Sequence, residues 1–110
     1  MTEWLDKPVL LTGATGFVGR NLYPLLRQNG YEVVCASRNP EQAAEDYPER
    51  TWVELDVERP ETMRPAMEGC GSAVYLIHQM IGWDSYESRE RQSAREFREA
   101  ADAAGLDRIV

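Results

Sequence analysis

Short apolar runs alternate with helix-period patterns along this whole chain, and that alternation restricts the fold more than any other feature. Pro8-Val9-Leu10-Leu11-Thr12 is short, apolar and followed by glycines, as a strand buried on both faces is. From Phe17 to Asn29, Val18, Leu22, Leu25 and Leu26 recur at helical spacing, and Gly30 supplies a stop. Pro24 removes a backbone donor inside that helix and is expected to bend it. Further strands are expected over Glu32–Ser37, Thr51–Asp56 and Ser72–His78. Helices are expected over Pro40–Tyr47, capped by Asn39, and over Pro60–Glu68, closed by Gly69. The longest helix is expected from Asp84 or Ser85 to Ala104, with Ala94, Phe97, Ala101 and Ala104 along one stripe and Gly105 ending it. Asp107-Arg108-Ile109-Val110 then begins a fifth strand.

Strand–helix units repeated in this way join by right-handed crossovers into a parallel sheet covered by helices on both sides. The expected fold is α/β, a doubly wound parallel sheet with strand order 3-2-1-4-5. No linker divides residues 1–110. A chain that stops within a strand reads as the N-terminal part of a larger protein, without its substrate lobe. The other reading is a complete four-stranded domain with a frayed tail.

Nineteen acidic against twelve basic side chains leave a net charge of -7. That excess argues against a nucleic-acid partner bound through phosphate neutralisation. No apolar run approaches the roughly 20 residues of a membrane span. Met1–Lys7 has neither the basic nor the apolar region of a secretory signal. Cys35 and Cys70 share no metal-ligand spacing, and His78 is the lone histidine, so no metal site is expected. Two isolated cysteines fit a reducing, cytoplasmic setting.

The sharpest motif is Thr12-Gly13-Ala14-Thr15-Gly16-Phe17-Val18-Gly19, lying between the first strand and the first helix. Its three glycines have separate duties: Gly13 for the turn out of the strand, Gly16 for approach to a pyrophosphate, and Gly19 for helix–sheet packing. The helix N-terminus adds free N–H groups and its positive dipole end. Gly13, Thr15, Gly16, Phe17, Val18 and Gly19 are thus the candidate phosphate-binding residues, in a GxxGxxG spacing that points to a dinucleotide cofactor. A purely structural βα turn is the alternative.

The same residues carry a family resemblance. TGATGFVG (Thr12–Gly19) resembles the extended and atypical short-chain dehydrogenase/reductase superfamily. Together with SRNP (Ser37–Pro40), LDV (Leu55–Val57) and YLIHQM (Tyr75–Met80), it is similar to the NmrA-like, NAD(P)-binding branch. The resemblance spans the whole chain and implies a Rossmann-type fold.

The second strand ends in Ser37-Arg38-Asn39, with no carboxylate before Glu41. A guanidinium there can grip the 2′-phosphate of NADP, with the Ser37 hydroxyl as a further donor, whereas a carboxylate would mark NAD. NADP is therefore the expected cofactor and NAD the second choice; a solvated loop charge is the other reading of Arg38. The resemblance implies that Asp56 meets the adenine amino group and Val57 its ring, although an Asp after a strand is also an ordinary turn residue. It further implies that Leu76, Ile77 and His78 line the ribose and nicotinamide. As the one imidazole, His78 is expected to serve either there as an acid or base, or as a hydrogen-bonded structural residue.

The superfamily's reductases and epimerases use a Tyr-x-x-x-Lys pair. Tyr23, Tyr31, Tyr47, Tyr75 and Tyr86 are followed at that spacing by Arg27, Cys35, Thr51, Gln79 and Glu90, and Lys7 is the only lysine. The catalytic residues are therefore unknown, and this chain alone is not expected to turn over a substrate. Ser85, Ser88 and Ser93 have no His and Asp placed to make a triad. The charges around Arg89–Glu99 read as a solvated helix face. Met80-Ile81-Gly82-Trp83 is an apolar loop that either rims the cleft or packs under the next helix.

The resemblance implies a parent protein that is an NAD(P)-dependent oxidoreductase acting on a small organic substrate. The alternatives are a non-catalytic NADP-binding redox sensor or accessory subunit, and a nucleotide-sugar epimerase or dehydratase. The third is disfavoured because YLIHQM lacks the usual HxAA ending.

Overall fold

The apolar runs become strands because each must be covered on two faces, and the amphipathic segments between them supply the cover. The computed structural model describes residues 7–77 and 83–110, with side chains in the last helix from residue 91 onward. Among the described residues the strands are β1 (Val9–Leu11), β2 (Val33–Ser37), β3 (Thr51–Glu54), β4 (Ser72–Val74) and β5 (Arg108–Ile109). They alternate with α1 (Phe17–Gln28), α2 (Pro40–Asp46), α3 (Met63–Met67) and α4 (Trp83–Ala104). Every pairing is parallel and the order is β3-β2-β1-β4-β5, as expected.

Register divides the side chains cleanly. Leu10 pairs with Val34 on one side and Ala73 on the other, and these three face Met63, Met67, Phe97 and Ala101 of α3 and α4. One step along, Leu11, Cys35 and Val74 face Leu22, Tyr23 and Leu26 of α1. Leu10, Leu11 and Phe97 are essentially fully buried, each contributing about 2–3 kcal/mol by leaving water. Tyr75 packs on Phe97 with ring centroids 4.7 Å apart, adding an aromatic contact where α4 crosses the sheet.

Three elements and one buried helix face depart most from expectation. β4 ends at Val74 and not at His78, because β1 turns away at Gly13 and offers no further ladder partner. Beyond Val74 the Leu76 N–H is taken by the Thr12 hydroxyl instead. β3 stops at Glu54, after which Asp56 forms an isolated bridge with Arg59. The expected helix Pro60–Glu68 is a 3-10 turn over Pro60–Thr62 followed by α3, since Pro65 has no N–H for the Glu61 carbonyl. On α4 the buried row is Ser93, Phe97 and Ala101 at i, i+4 spacing, so Ala94, expected in the stripe, lies exposed one position around the helix. α1 runs through Pro24 without ending. Asn39 caps α2 as expected, its side-chain oxygen accepting from Gln42 N–H at 3.2 Å with Pro40 next in line.

Candidate functional site

The loops after β1, β2, β3 and β4 all leave the sheet at its carboxyl edge, and between β1 and β4 the order in which strands are added reverses. Between them lies a cavity of about 620 Å³. Thr12, Gly13, Thr15 and Gly16 form its floor, Ala36, Ser37, Arg38 and Asn39 one wall, Leu55, Asp56, Val57 and Glu58 the facing wall, and Leu76 and Ile77 the side nearest β4. This volume is within the range of small-molecule and cofactor sites.

The floor shows why glycine is required. Gly13 has φ +60, and a Cβ added there would lie 2.7 Å from the Leu76 carbonyl oxygen. Gly16 N–H returns to the Gly13 carbonyl at 3.0 Å and closes the turn. A Cβ on Gly19 would overlap the Gly13 carbonyl oxygen and lie 2.8 Å from Ala14 Cα, so this buried glycine lets α1 seat directly on the loop. Gly16 is the N-cap of α1 and offers no side-chain acceptor, which leaves the first-turn amides without a side-chain cap. Phe17 and Val18 are 75% and 58% exposed and do not line the cavity, so what they offer a ligand is main-chain N–H. Gly13 and Gly16 thus leave main-chain N–H groups open at a helix N-terminus beside the cavity, an arrangement able to receive an anionic group.

Thr12 is fully buried and joins two strands by its side chain. Its hydroxyl donates to the Val74 carbonyl at 2.7 Å and accepts from Leu76 N–H at 2.9 Å. That pair of bonds sets Leu76 over Gly13 and turns Ile77 along the cavity.

On the first wall, Ser37 Oγ accepts from Asn39 N–H at 3.1 Å, which leaves the hydroxyl proton for a second partner. Arg38 is exposed on the cavity rim and has no ion pair among the described residues. On the facing wall, Asp56 Oδ1 accepts from Glu58 N–H at 3.0 Å, and the second carboxylate oxygen remains an acceptor. Ala36, Leu55 and Val57 are buried and supply an apolar slot between the walls. Arg59 stands behind this loop, paired with Glu54 at 3.1 Å and Glu61 at 3.2 Å.

The structure thus brings Gly13, Thr15, Gly16, Ser37, Arg38, Asp56, Val57, Leu76 and Ile77 around one cavity, while Phe17, Val18 and Gly19 lie on α1 outside its lining. His78 and the Met80–Gly82 part of the apolar loop lie outside the described residues. Ser93 is buried under α4 and takes no part in the cavity. Sequence reasoning did not name Ala36, Asn39, Leu55 and Glu58 on the walls or Thr12 on the floor as site residues; Thr12 carried a signal as the polar end of an apolar run, and Asn39 one only as a helix cap. Cys35 and Cys70 are buried away from the cavity, and burial pushes each thiol up to about 11. For Cys35 the nearby Arg50 guanidinium offsets this only in part. Among the described residues no cluster of His, Cys, Asp and Glu could hold a metal ion, and no helix is long and apolar enough to cross a membrane.

Comparison with known proteins bears on the fold and on the family. The auxiliary protein GraX of Staphylococcus aureus (strain NCTC 8325 / PS 47) is 33% identical over 69 residues, covering 63% of this chain and 22% of GraX. A short-chain dehydrogenase/reductase superfamily protein from Agrobacterium tumefaciens, solved with bound NAD, superposes with a TM-score of 0.73 at 25% identity. That match covers 92% of this chain and 30% of the other. The Citrobacter sp. triphenylmethane reductase complexed with NADP(H) gives a TM-score of 0.76 at 21% identity, over 93% of this chain and 35% of the reductase. The chain therefore spans about a third or less of the length of these relatives. The family described as NAD(P)H-binding matches residues 13–110, from the first glycine of the loop to the last residue, and the chain belongs to it.

Proposed function

We propose that the cavity takes NADP(H) in preference to NAD(H), and that the protein this chain belongs to is an oxidoreductase acting on a small organic substrate. The observation that carries the preference is the end of β2, where Ser37 and Arg38 stand on the cavity wall and the chain has no Asp or Glu between Ser37 and Glu41. An Asp or Glu there would accept from a ribose 2′-OH and repel a 2′-phosphate; a guanidinium does the reverse, with two parallel N–H donors. Ser37 adds its hydroxyl proton. The α1 amides and the glycines of the loop hold the pyrophosphate, Asp56 accepts from the adenine amino group, and Val57 flanks the ring. Leu76 and Ile77 run beside the nicotinamide ribose, with His78 next in sequence. When bound, the nicotinamide supplies hydride transfer, and the chain's own part is to orient it and keep water from its face. The free cysteines fit a cytoplasmic setting.

A second reading is a cofactor-binding accessory protein that reads the NADP pool without turnover. It is favoured by the likeness to a protein described as auxiliary.

Calorimetric titration with NADPH and NADH separates these ideas from a structural glycine turn. NADPH should bind more tightly by about 10- to 100-fold, the worth of one or two charge-assisted hydrogen bonds. Arg38→Asp should abolish that margin. Equal affinity for the two cofactors in the parent chain would refute the preference, and no binding by a folded chain would refute the site.

A further inference from the structure

The loop that presents Asp56 is tied down by a residue that does not line the cavity. Thr62 is 8% exposed and sits at the end of the 3-10 turn, six positions after Asp56. Its hydroxyl oxygen accepts from Asp56 N–H at 2.9 Å and donates to the Arg59 carbonyl at 2.8 Å, with the Asp56 carbonyl at 3.2 Å as the other acceptor. The segment between is closed by Arg59 N–H on the Asp56 carbonyl and Thr62 N–H on the Arg59 carbonyl, each at 2.9 Å. In front, the Asp56 carboxylate is engaged by Glu58 N–H at 3.0 Å. Asp56 is therefore held at both ends, main chain by Thr62 and side chain by Glu58. A carboxylate fixed in this way reads a ligand without paying for its own ordering, and its second oxygen has one direction in which to accept.

We infer that Thr62 is the positioning residue for base selection: acting through Asp56, it makes the cavity choose a nucleobase bearing an exocyclic amine over one bearing a carbonyl at the same place. This rests on the dinucleotide reading of the site. An amine donates to the fixed carboxylate oxygen, whereas a carbonyl sets acceptor against acceptor and leaves both unsatisfied. Removal of the Thr62 hydroxyl strands Asp56 N–H and loosens the main chain that directs the carboxylate, while the Glu58 N–H bond to Oδ1 remains. Discrimination falls while the phosphate contacts, on other loops, persist.

The test is calorimetric titration of the parent protein, Thr62→Val and Thr62→Ser with NADPH and with reduced nicotinamide hypoxanthine dinucleotide phosphate. The parent should prefer the adenine form by about tenfold or more, Thr62→Val should cut that ratio to about twofold, and Thr62→Ser should restore it. A Thr62→Val protein that weakens both ligands equally at an unchanged ratio overturns the inference, as does failure of Thr62→Ser to restore it. A parent that binds both ligands equally overturns the base reading alone, while one that binds neither overturns the dinucleotide site as well. Circular dichroism checks each fold. If Thr62→Val does not fold, amide exchange in the parent decides: Asp56 N–H should exchange about 100-fold more slowly than an open loop, and exchange at the open-loop rate overturns the inference.

Discussion

Replacing Thr12 with valine keeps the shape of a fully buried side chain and deletes its hydroxyl, so the cost can be worked bond by bond. The Val74 carbonyl loses the 2.7 Å bond but keeps the Thr12 N–H at 3.0 Å, so that loss is worth about 0.5–1 kcal/mol. The Leu76 N–H loses its acceptor at 2.9 Å, and a stranded, partly buried amide costs about 1–3 kcal/mol. The new methyl, buried among the strand ends, returns about 0.8 kcal/mol. The balance is a destabilisation of about 2 kcal/mol, or roughly 10 °C in Tm for a domain of this size. Thr12→Ser keeps both bonds and loses only a methyl, for about 1 kcal/mol. Urea melts of the three proteins by circular dichroism measure these differences, and amide exchange at Leu76 locates them. A Thr12→Val cost below about 0.5 kcal/mol, or a serine variant less stable than the valine one, would refute the claim that the hydroxyl staples β4 to β1.

Gly19→Ala reverses an ordinary sign. Alanine in a helix normally stabilises by about 1 kcal/mol over glycine, but here the Cβ meets the Gly13 carbonyl and Ala14 Cα, both main chain. The variant should lose about 2–3 kcal/mol and its nucleotide binding as α1 is pushed off the loop, while a stabilised variant would refute the packing role. The cysteines set an alkaline limit. Burial pushes Cys35 and Cys70 up to about 11 from 9.0, so between those pH values the unfolded chain has released protons that the folded chain still holds. Stability should therefore be untouched by these thiols below about pH 9 and fall as pH rises toward 11. Melts across that window should show a shallower slope in the Cys35→Ala, Cys70→Ala variant; an identical slope would refute the linkage. Arg50, whose guanidinium lies 4.2 Å from the Tyr23 ring centroid and 4.5 Å from that of Tyr47, clamps α1 to the end of α2. Arg50→Met should cost about 1–2 kcal/mol in the same melts, and no measurable cost would show the stacking to be idle.

Much of this protein is written locally. Apolar runs such as Val9–Leu11 and Val33–Ser37 need cover on both faces, and helix-period segments of the right length lie between them, so the parallel sheet and its order follow from pattern and crossover handedness. The glycine loop is equally local, because a φ of +60 and a Cβ-free floor are demands on single residues. Arg38 was legible for the same reason, as a charge placed where a strand ends.

Tertiary structure decided what depends on partners far away in the chain. The Thr12 bonds reach 62 and 64 residues ahead, and no spacing rule announces them. How far β4 extends is set by where β1 turns away, not by the apolar run from Ser72 onward. Ser93 rather than Ala94 faces the core, because the packing of α4 on α3 chooses the row and residue polarity does not. Thr62 reads in the sequence as an ordinary helix-start residue, and becomes the anchor of Asp56 only when the 3-10 turn folds back on the strand end. Local residue chemistry fixed which backbone shapes were allowed and where glycine was unavoidable; folding chose which buried hydroxyls found partners, since a hydrogen bond requires two groups and only the fold brings the second one near.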